Sequence, residues 1–434
     1  MKKNYQKKSA SVGISDELVL PEAVSVAMAE IGGAVREGLL ALAVAAGLQV
    51  MGAMMEESVV ALAGPKGRHQ PDRTAVRHGT EDGSVTLGGR RVPVRRPRVR
   101  KADGSGELPV AAYDVFSNSD LLEEIALEKM MAKLSTRRYT AGLEPVGEAV
   151  EASARSKSRS AVSRRFVART ETALAELMAA DLSELDIVAL MIDGVHFAGH
   201  LCVVALGIGI DGTKHPLGVV EGDTENATVV KDLLVGFRER GLEVTRPTLI
   251  VIDGAKALAS AVNAVFDHPV IQRCQLHKVR NVEAKLSKAM GSTVAKKMRA
   301  AYYDPDPLQA EATLEALARS LDKAHPGAAG SLREGLAETL TVSRLGVPPT
   351  LARTLRSTNA IESMIEICRD HSSNVKRWRD GQMALRWCAA GMGEAAKQFR
   401  RVNGHLHLTA LRTALDASAA DHVTPACQDD QEAA

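Results

Sequence analysis

Two short segments carry the same pattern, an apolar run that ends in Ile-Asp-Gly: Met191–Gly194 and Val251–Gly254. An apolar strand places its last side chain at the carboxyl edge of a sheet, and glycine lets the chain turn away there. Asp193 and Asp253 are therefore expected to meet at one sheet edge. Two carboxylates about 4 Å apart repel by roughly 4 kcal/mol at an effective dielectric of about 20, so such a pair shares a proton or binds cations. Oxygen ligands with few histidines nearby favour Mg²⁺ over Zn²⁺.

The alternative interpretation is that both aspartates belong to turns, because Asp-Gly is a common turn dipeptide and occurs six times in the chain. Asp193 and Asp253 differ from the others because a buried apolar strand precedes each and no partner strand is expected directly after the glycine. Asp211 also follows an apolar run, but the run beyond it favours a hairpin. The remaining Asp-Gly pairs, which we assign to turns, begin at Asp82, Asp103 and Asp380.

A third carboxylate is available in the segment Arg353–Glu362. Ser357 or Thr358 can cap a helix there, and Glu362 would lie one turn into it. Arg369 follows two turns later on nearly the same face, where it could hold a phosphate. Glu362 would then complete a cluster of three acids.

The elements that must position these residues follow Ser183. Helix is predicted over Thr224–Arg240 and over almost all of residues 275–345, and the acidic tail from Asp416 is predicted to be disordered. Strands that alternate with helices predict a mixed α/β sheet. The predicted strands are Leu185–Ile192, Leu201–Ile210, Pro216–Val220, Leu249–Ile252 and Val270–Ile271.

The composition is that of an ordinary folded protein, with 45% apolar and 25% charged residues among 434. Five scattered cysteines without a C-x-x-C pair argue against a disulfide framework, and the start of the chain does not have the pattern of a secretion signal. Residues 1–63 read as helix. Their apolar stretch Leu39–Met55 is interpreted as a helix outside the membrane, because it falls just short of the usual spanning length.

Basic runs on a nearly neutral chain suggest a polyanion as partner. Thr86–Lys101 holds seven Lys/Arg and no acid, and Arg273–Arg299 holds eight against one glutamate. The first run predicts a β-ribbon or an extended arm. Ser156–Thr170 predicts a helix with Val162 and Phe166 on an apolar face and with Arg and Ser side chains elsewhere, which is typical of the recognition helix of a helix-turn-helix. A solvated face or an ordinary amphipathic helix is the alternative for each. The candidate DNA contacts are Arg90, Arg91, Arg95, Arg96, Arg98, Arg159, Ser163, Arg164, Arg165, Lys278 and Arg280.

Four segments together resemble the mutator-type transposases of bacterial insertion sequences, in order and approximate spacing. The resemblance runs from about Asp120 to about Leu415, and Gln272–Asn281 with Ser357–Ser363 is its most specific part. It implies a ribonuclease-H-like catalytic domain with an Asp, Asp, Glu triad and a helical insertion before the Glu. The four segments are Ile192–His196, Val251–Lys256, Gln272–Asn281 and Ser357–Glu362.

Carried over residue by residue, the resemblance implies the catalytic and metal-binding triad Asp193, Asp253 and Glu362. The Cys-x-x-His pair of the family falls on Cys274 and His277. By residue type this pair is half a zinc site, but no second Cys/His pair has ligand spacing, so a satisfied Cys beside a His that touches DNA or a carboxylate is preferred. His196 would approach the scissile phosphate, or be an edge or core histidine. Arg369 stands in Cys-Arg-Asp-His, a departure from the family pattern.

The function that follows is a transposase that binds terminal inverted repeats and catalyses Mg²⁺-dependent 3′-end cleavage and strand transfer. Two Mg²⁺ ions are expected, with Mn²⁺ as a substitute. Double-stranded DNA, as repeats and as target, and a second copy or more of the chain are the expected partners, without a membrane, in the bacterial cytoplasm at the nucleoid. A structure-specific nuclease of the same fold and a non-catalytic DNA-binding regulator are the alternatives.

The expected fold is therefore an α/β ribonuclease-H-like catalytic domain with an all-helical insertion, preceded by a mainly helical DNA-binding region. The expected segments are an N-terminal helical region (1–63), a basic β-ribbon or arm (64–119), a helix-turn-helix-like DNA-binding domain (120–182), the first catalytic part (183–282), the helical insertion (283–350), the second catalytic part with Glu362 (351–415) and a disordered acidic tail (416–434).

Overall fold

The computed structural model describes residues 22–68, 72–222 and 226–423. The chain divides into two units, one formed by Met1–Leu122 with Leu143–Ser158 and the other by Glu123–Gly142 with Arg159–Ala434. The predicted domain at 120–182 is thus shared between the two units.

The regular elements of the described residues are numbered here in chain order. The strands are β1 (Ala75–Leu87), β2 (Arg90–Lys101), β3 (Glu107–Leu108), β4 (Ile187–Phe197), β5 (His200–Gly209), β6 (Lys214–Glu221), β7 (Thr248–Ile252) and β8 (Pro269–Arg273). The α-helices are α1 (Glu22–Ala63), α2 (Ala111–Ser117), α3 (Asp120–Met131), α4 (Glu148–Ser153), α5 (Arg159–Ala179), α6 (Ala227–Glu239), α7 (Lys256–Val265), α8 (Gln275–Glu283), α9 (Lys288–Tyr302), α10 (Pro307–Leu321), α11 (Pro326–Arg333), α12 (Thr341–Arg344), α13 (Pro349–Leu355), α14 (Asn359–His371), α15 (Gly381–Gln398) and α16 (Leu408–Val423).

The first unit is built around the basic hairpin. β1 and β2 pair antiparallel, and β3 pairs with the end of β2, which confirms the ribbon that the sequence offered as one of two alternatives. A small core forms where Val59 of α1 packs with Val99 and Val110. The backbones of Arg91 and Arg155 exchange hydrogen bonds of 3.2 and 2.9 Å, which ties the segment before α5 to this unit.

Helix α1 is long and apolar. Its segment Val35–Ala63 could cross a membrane by length and composition, and most of that segment is exposed. One apolar helix near the start of a chain is weak evidence for a membrane span, because core helices and signal sequences have the same length and composition. It does not indicate a membrane protein. Side chains before Val35, and residues 1–21 of the predicted helical region, lie outside the described residues.

The sheet of the second unit has the order β6-β5-β4-β7-β8. β4, β5 and β6 pair antiparallel, and β4, β7 and β8 pair parallel. All the strands predicted after Ser183 are present, and Asp211 with Gly212 lies in the hairpin turn between β5 and β6, as predicted. The apolar runs are continuous because both faces of this sheet are covered.

Helices cover the two faces of the sheet. On one face, Leu190, Ile192 and Ile250 pack in a core with α6 and α7. On the other, Met191 and Val251 pack with α14, α15 and α16. Side chains alternate along a strand, so from Ala189 onward the odd-numbered apolar residues of β4 pack in the second core and the even-numbered ones in the first; a register shift between Ile187 and Ala189 interrupts the alternation before that point.

Two further helical regions complete the second unit. α9, α10 and α11 form a separate core with the end of α8, in which Val282, Met298 and Leu314 are fully buried. Those helices lie in the predicted insertion. In α5, Val162 and Phe166 are buried as predicted, and the ring of Phe166 lies 4.6 Å from that of Trp387 in α15.

The prediction of a disordered tail from Asp416 is wrong for its first residues. Helix α16 continues to Val423, because Leu411 and Leu415 are fully buried in the core of the sheet. Arg412 anchors the helix, since it donates a 2.7 Å hydrogen bond to Asp186 and a 2.9 Å bond to the carbonyl of Ile187. Residues 424–434 lie outside the described residues.

Candidate active site

Asp193 and Asp253 lie on neighbouring parallel strands. Met191 of β4 and Val251 of β7 are register partners. Asp193 lies two positions after Met191, and Asp253 lies two positions after Val251. Two positions preserve the side of a strand, so Asp193 belongs to the sheet face on which Met191 and Val251 pack with α14 and α15. Asp253 lies close enough for its charge to act on Asp193. Asp253 directly follows the end of β7, and its Oδ1 accepts a 2.9 Å hydrogen bond from the backbone of Ala255.

Asp193 does not end its strand, which corrects the sequence interpretation. β4 runs through Asp193 and Gly194 to Phe197 and then forms a hairpin with β5, so a partner strand does follow the glycine. The strand continues because Val195 and Phe197 are buried on the same face as Asp193. The predicted turn is present only at the second motif, where Gly254 has φ +106°.

Glu362 comes from the first turn of α14. Ile361 and Ile365 are buried in the sheet core and fix this helix against the face that carries the aspartates. Thr358 precedes the helix as predicted, but its hydroxyl does not cap it. The hydroxyl instead donates a 2.8 Å hydrogen bond to Glu362 Oε1, and the Glu362 side chain remains 30% exposed.

The charges of Asp253 and Glu362 both act on Asp193. The pKa of Asp193 is raised to about 6, chiefly by burial and also by the charges of Asp253 and Glu362, while the Gly194 N–H and His277 act in the opposite direction. A buried carboxyl surrounded by two others carries an electrostatic cost that a bound cation relieves. The donor set consists of hard oxygens, which fits Mg²⁺.

His277 and Cys274 lie beside this cluster. Cys274 directly follows β8 and His277 lies in the first turn of α8; His277 Nε2 is 3.7 Å from Glu362 Oε1. A hydrogen bond with Cys274 raises the pKa of His277 to about 9 against the effect of burial, and the charges of Cys274, Asp193 and Glu362 raise it as well. His277 is therefore an imidazolium at neutral pH, and it lies beside a carboxylate, which is one of the two contacts that the preferred interpretation expected.

The thiol of Cys274 is fully buried. Burial raises its pKa, but hydrogen bonds with His277 and Thr358 outweigh burial and leave the pKa below its usual value. The Thr358 hydroxyl lies 3.4 Å from Cys274 Sγ and 3.4 Å from His277 Nδ1. Thr358 thus contacts three residues of the site, and the sequence did not reveal these contacts. Its spacing of four residues from Glu362 was the one feature that could have predicted the contact with Glu362.

Two other predicted site residues lie elsewhere. His196 is exposed and stands at an odd number of positions from Asp193 in β4, so it belongs to the opposite face of the strand. Arg369 is exposed near the end of α14, two turns from Glu362. The structure does not bring either one to the carboxylates.

Two of the predicted DNA contacts are buried, and this corrects their assignment. Arg90 donates 2.7 Å hydrogen bonds to the carbonyls of Gly88 and Glu144 and forms an ion pair with Glu151. Lys278 donates to the carbonyls of Ser331 and Glu334, at 2.8 and 2.5 Å. Both cations bond to backbone oxygens that sequence alone could not reveal.

The other ribbon arginines pair with acids of the same unit. Arg95 contacts Asp82 at 2.7 Å, Arg96 contacts Glu81, and Arg98 contacts Glu107. Arg91 donates to the hydroxyl of Ser84 and to neighbouring carbonyls. Arg165 is half-buried, and the remaining predicted contacts are exposed: Arg159, Ser163, Arg164 and Arg280.

Comparison with known proteins supplies the family. The family model described as "Transposase, Mutator family" matches residues 25–402. The transposase for insertion sequence element ISRM5 of Rhizobium meliloti (strain 1021) is 26% identical over 370 residues, which cover 84% of this chain and 89% of the relative. That for IS6120 of Mycolicibacterium smegmatis is 30% identical over 235 residues, 53% and 71% of the two chains. The transposase for IS256 in transposon Tn4001 of Staphylococcus aureus is 25% identical over 316 residues, which cover 70% of this chain and 77% of the relative. The chain belongs to the Mutator family of transposases.

Proposed function

We propose that this transposase binds the terminal inverted repeats of an insertion sequence, cleaves the DNA to expose a 3′-hydroxyl and joins that hydroxyl to target DNA. The observation that carries the proposal is the proximity of three carboxylates at neighbouring strands of the sheet, close enough for the charges of Asp253 and Glu362 to act on Asp193. The relatives are named as transposases for insertion sequence elements, which supports the same substrate class.

The strand order supports a ribonuclease-H-like fold for the catalytic part. β4 pairs antiparallel with β5 on one side and parallel with β7 on the other, so the direction of pairing changes at β4. Asp193 and Asp253 flank this β4–β7 junction. Ligand sites of open α/β sheets form beside the carboxyl ends of strands at such a change in the order of connections.

Asp193, Asp253 and Glu362 would hold two Mg²⁺ ions, or Mn²⁺ as a substitute. When bound, two such ions supply Lewis-acid stabilisation of the attacking and leaving oxygens of an in-line displacement at phosphorus. Burial and the charges of Asp253 and Glu362 together raise the pKa of Asp193, and a bound cation would neutralise this concentrated negative charge.

Two neighbouring side chains, Thr358 and His277, orient Glu362 and add a positive charge beside it. Thr358 orients Glu362 through its hydroxyl, and the imidazolium of His277 places a positive charge beside Glu362, where it can attract a phosphate oxygen. The nearby Cys274 thiol is fully buried, so the site offers water or a DNA 3′-hydroxyl as the nucleophile rather than this side chain.

We assign DNA recognition to exposed basic surfaces. Arg159, Ser163 and Arg164 lie on α5, where Arg and Ser side chains can read base edges, and the ribbon meets phosphates. Arg280 on α8 adds a phosphate contact beside the site. Two element ends must be cut and joined together, so the active form is a homodimer or larger, in the bacterial cytoplasm at the nucleoid.

A strand-transfer assay with labelled terminal-repeat DNA and Mg²⁺ tests the function. The wild type is expected to give cleaved and joined products, and Asp253→Asn is expected to lose both while it retains DNA binding. Asp211→Asn is the matched control, since Asp211 is an Asp-Gly aspartate in a hairpin turn. Cleavage without joining would indicate a nuclease of the same fold, and unchanged activity of Asp253→Asn would exclude Asp253 as a ligand.

A further inference from the structure

Three different metal-ligand types converge beside the carboxylate site. One ligand atom each of Cys274, His277 and Glu362 lies within 4.8 Å of the other two. Cys274 and His277 lie at the start of α8, one helical turn apart, and Glu362 comes from the first turn of α14. By sequence, Cys274 and His277 are half a zinc site. The third ligand, Glu362, is also the third member of the carboxylate cluster.

A single hydroxyl shows how closely the donor atoms converge. Thr358 Oγ1 lies 3.4 Å from Cys274 Sγ, 3.4 Å from His277 Nδ1 and 2.8 Å from Glu362 Oε1. Tetrahedral zinc with bonds of about 2.0 to 2.3 Å separates its ligand atoms by roughly 3.5 Å. The 3.7 Å distance between His277 Nε2 and Glu362 Oε1 is close to that separation.

The cluster is closed on the sulfur side and open on the other. Cys274 is fully buried, whereas the side chains of His277 and Glu362 are 24% and 30% exposed. An ion can therefore enter past the histidine and the glutamate, and a water can take the fourth position.

We propose that Cys274, His277 and Glu362 form a binding site for a thiophilic divalent cation such as Zn²⁺, separate in its ligands from the all-carboxylate site that takes Mg²⁺. Thiolate and imidazole ligands select Zn²⁺ and Co²⁺ over Mg²⁺, which prefers oxygen. Cys274 binds the ion as a thiolate and His277 binds it as a neutral imidazole, so the thiol and the imidazolium each release one proton to solvent on binding, and no electrons are transferred.

The two sites share Glu362, so they compete for it. This competition rests on the proposed function, in which Glu362 is a Mg²⁺ ligand, whereas the thiophilic site itself does not. Occupancy by Zn²⁺ would remove one of the three carboxylates from the Mg²⁺ site. The transposase would then be inactive in excess Zn²⁺ even with Mg²⁺ present.

Cobalt absorption spectroscopy of the full-length protein tests the site, because a Co²⁺–thiolate bond gives a charge-transfer band in the near ultraviolet. The wild type is expected to show this band with the visible absorption of tetrahedral Co²⁺, and added Zn²⁺ is expected to abolish both. Cys274→Ser is expected to lose the charge-transfer band and to weaken Co²⁺ binding by about 100-fold or more, since even the outer-shell partners of metal ligands contribute about 10- to 100-fold. Cys427→Ala is the matched control and should keep the band.

A wild type without the band, or Cys274→Ser with the band intact, would overturn the proposal. Asp253→Asn separates it from the proposed function, because Asp253 is a ligand only of the proposed Mg²⁺ site and this variant should keep the cobalt band. Millimolar Mg²⁺ should weaken Co²⁺ binding to the wild type but not to Asp253→Asn. If the Cys274-dependent band is present and Mg²⁺ has no effect on it in the wild type, the thiophilic site stands and the Mg²⁺ role of Glu362 fails.

Discussion

Thr358 donates a 2.8 Å hydrogen bond to Glu362 from four residues earlier in the chain, so the start of α14 holds its own acid in place. Thr358 is fully buried, and its backbone N–H reaches Cys274 Sγ at 3.5 Å. The residue that orients the glutamate is therefore fixed in turn by the start of α8. Segments 84 residues apart in the chain meet in this contact.

Replacement of Thr358 by valine should impair the use of Mg²⁺ rather than folding. Valine keeps the shape but removes the hydroxyl, and a hydrogen bond to a charged group contributes about 1.5 to 3 kcal/mol. The Mg²⁺ concentration for half-maximal DNA cleavage is expected to rise about tenfold or more in Thr358→Val, and Thr358→Ser is expected to stay near the wild type. An unchanged Mg²⁺ requirement in Thr358→Val would show that Glu362 does not depend on this contact.

Divalent cations should stabilise the folded protein through the aspartates. A ligand present at about 100 times its dissociation constant adds about 2.7 kcal/mol to the free energy of unfolding. Thermal denaturation of the wild type is therefore expected at a higher midpoint with Mg²⁺ than with a chelator. Asp193→Asn should lose this difference and Asp211→Asn should keep it, whereas equal Mg²⁺ stabilisation of Asp193→Asn would contradict the assignment.

Lys278 should make stability depend on pH in the alkaline range. Burial lowers the pKa of Lys278 from 10.5 to about 8. Below pH 8 the lysine is charged in both states, and the folded state bears the full cost of that buried charge. Between pH 8 and 10.5 the unfolded chain binds more protons than the folded one, so stability rises with pH.

The free energy of unfolding of the wild type should therefore rise relative to that of Lys278→Met by about 3 kcal/mol between pH 8 and 10.5. Chemical denaturation in a chelator, at pH steps through this window, measures the difference. A constant difference between the two proteins would show that the buried ammonium keeps its ordinary pKa.

Exposed Arg280 and buried Lys278, two positions apart in α8, should behave differently towards DNA. A cation that contacts a phosphate adds about one to the slope of log affinity against log salt concentration. Arg280→Ala is expected to lower that slope by about one in a binding titration, and Lys278→Met is expected to leave it unchanged. A lowered slope only in Lys278→Met would reverse the assignment of these two residues.

The strands and the order of the carboxylates followed from the sequence because continuous apolar runs such as Ile187–Ile192 are buried on both faces of a sheet. The sequence did not predict that β4 continues past Asp193. Only two apolar residues at alternate positions, Val195 and Phe197, indicate the continuation, whereas the Asp-Gly dipeptide before them is typical of a turn. The burial of Lys278 and Arg90 depends on carbonyls more than 50 residues away in the chain. Local patterns cannot supply partners at that separation.

The two Ile-Asp-Gly motifs should respond differently to alanine. Gly254 has φ +106°, and an added Cβ would lie 3.3 Å from Arg273 Cδ, so Gly254→Ala strains the turn that carries Asp253. A side chain in such a backbone region costs about 1 to 3 kcal/mol, and relief of the strain would displace the adjacent aspartate. Gly194 lies inside β4 and is not among the glycines with positive φ in the described residues, so Gly194→Ala should not meet that cost.

Gly254→Ala is therefore expected to lower both the thermal midpoint and the stabilisation by Mg²⁺, and Gly194→Ala is expected to lower the midpoint less. Denaturation with and without Mg²⁺ measures both quantities in each variant. If Gly254→Ala bound Mg²⁺ as the wild type does, the turn would not determine the position of Asp253, and the strand β7 alone would have to do so.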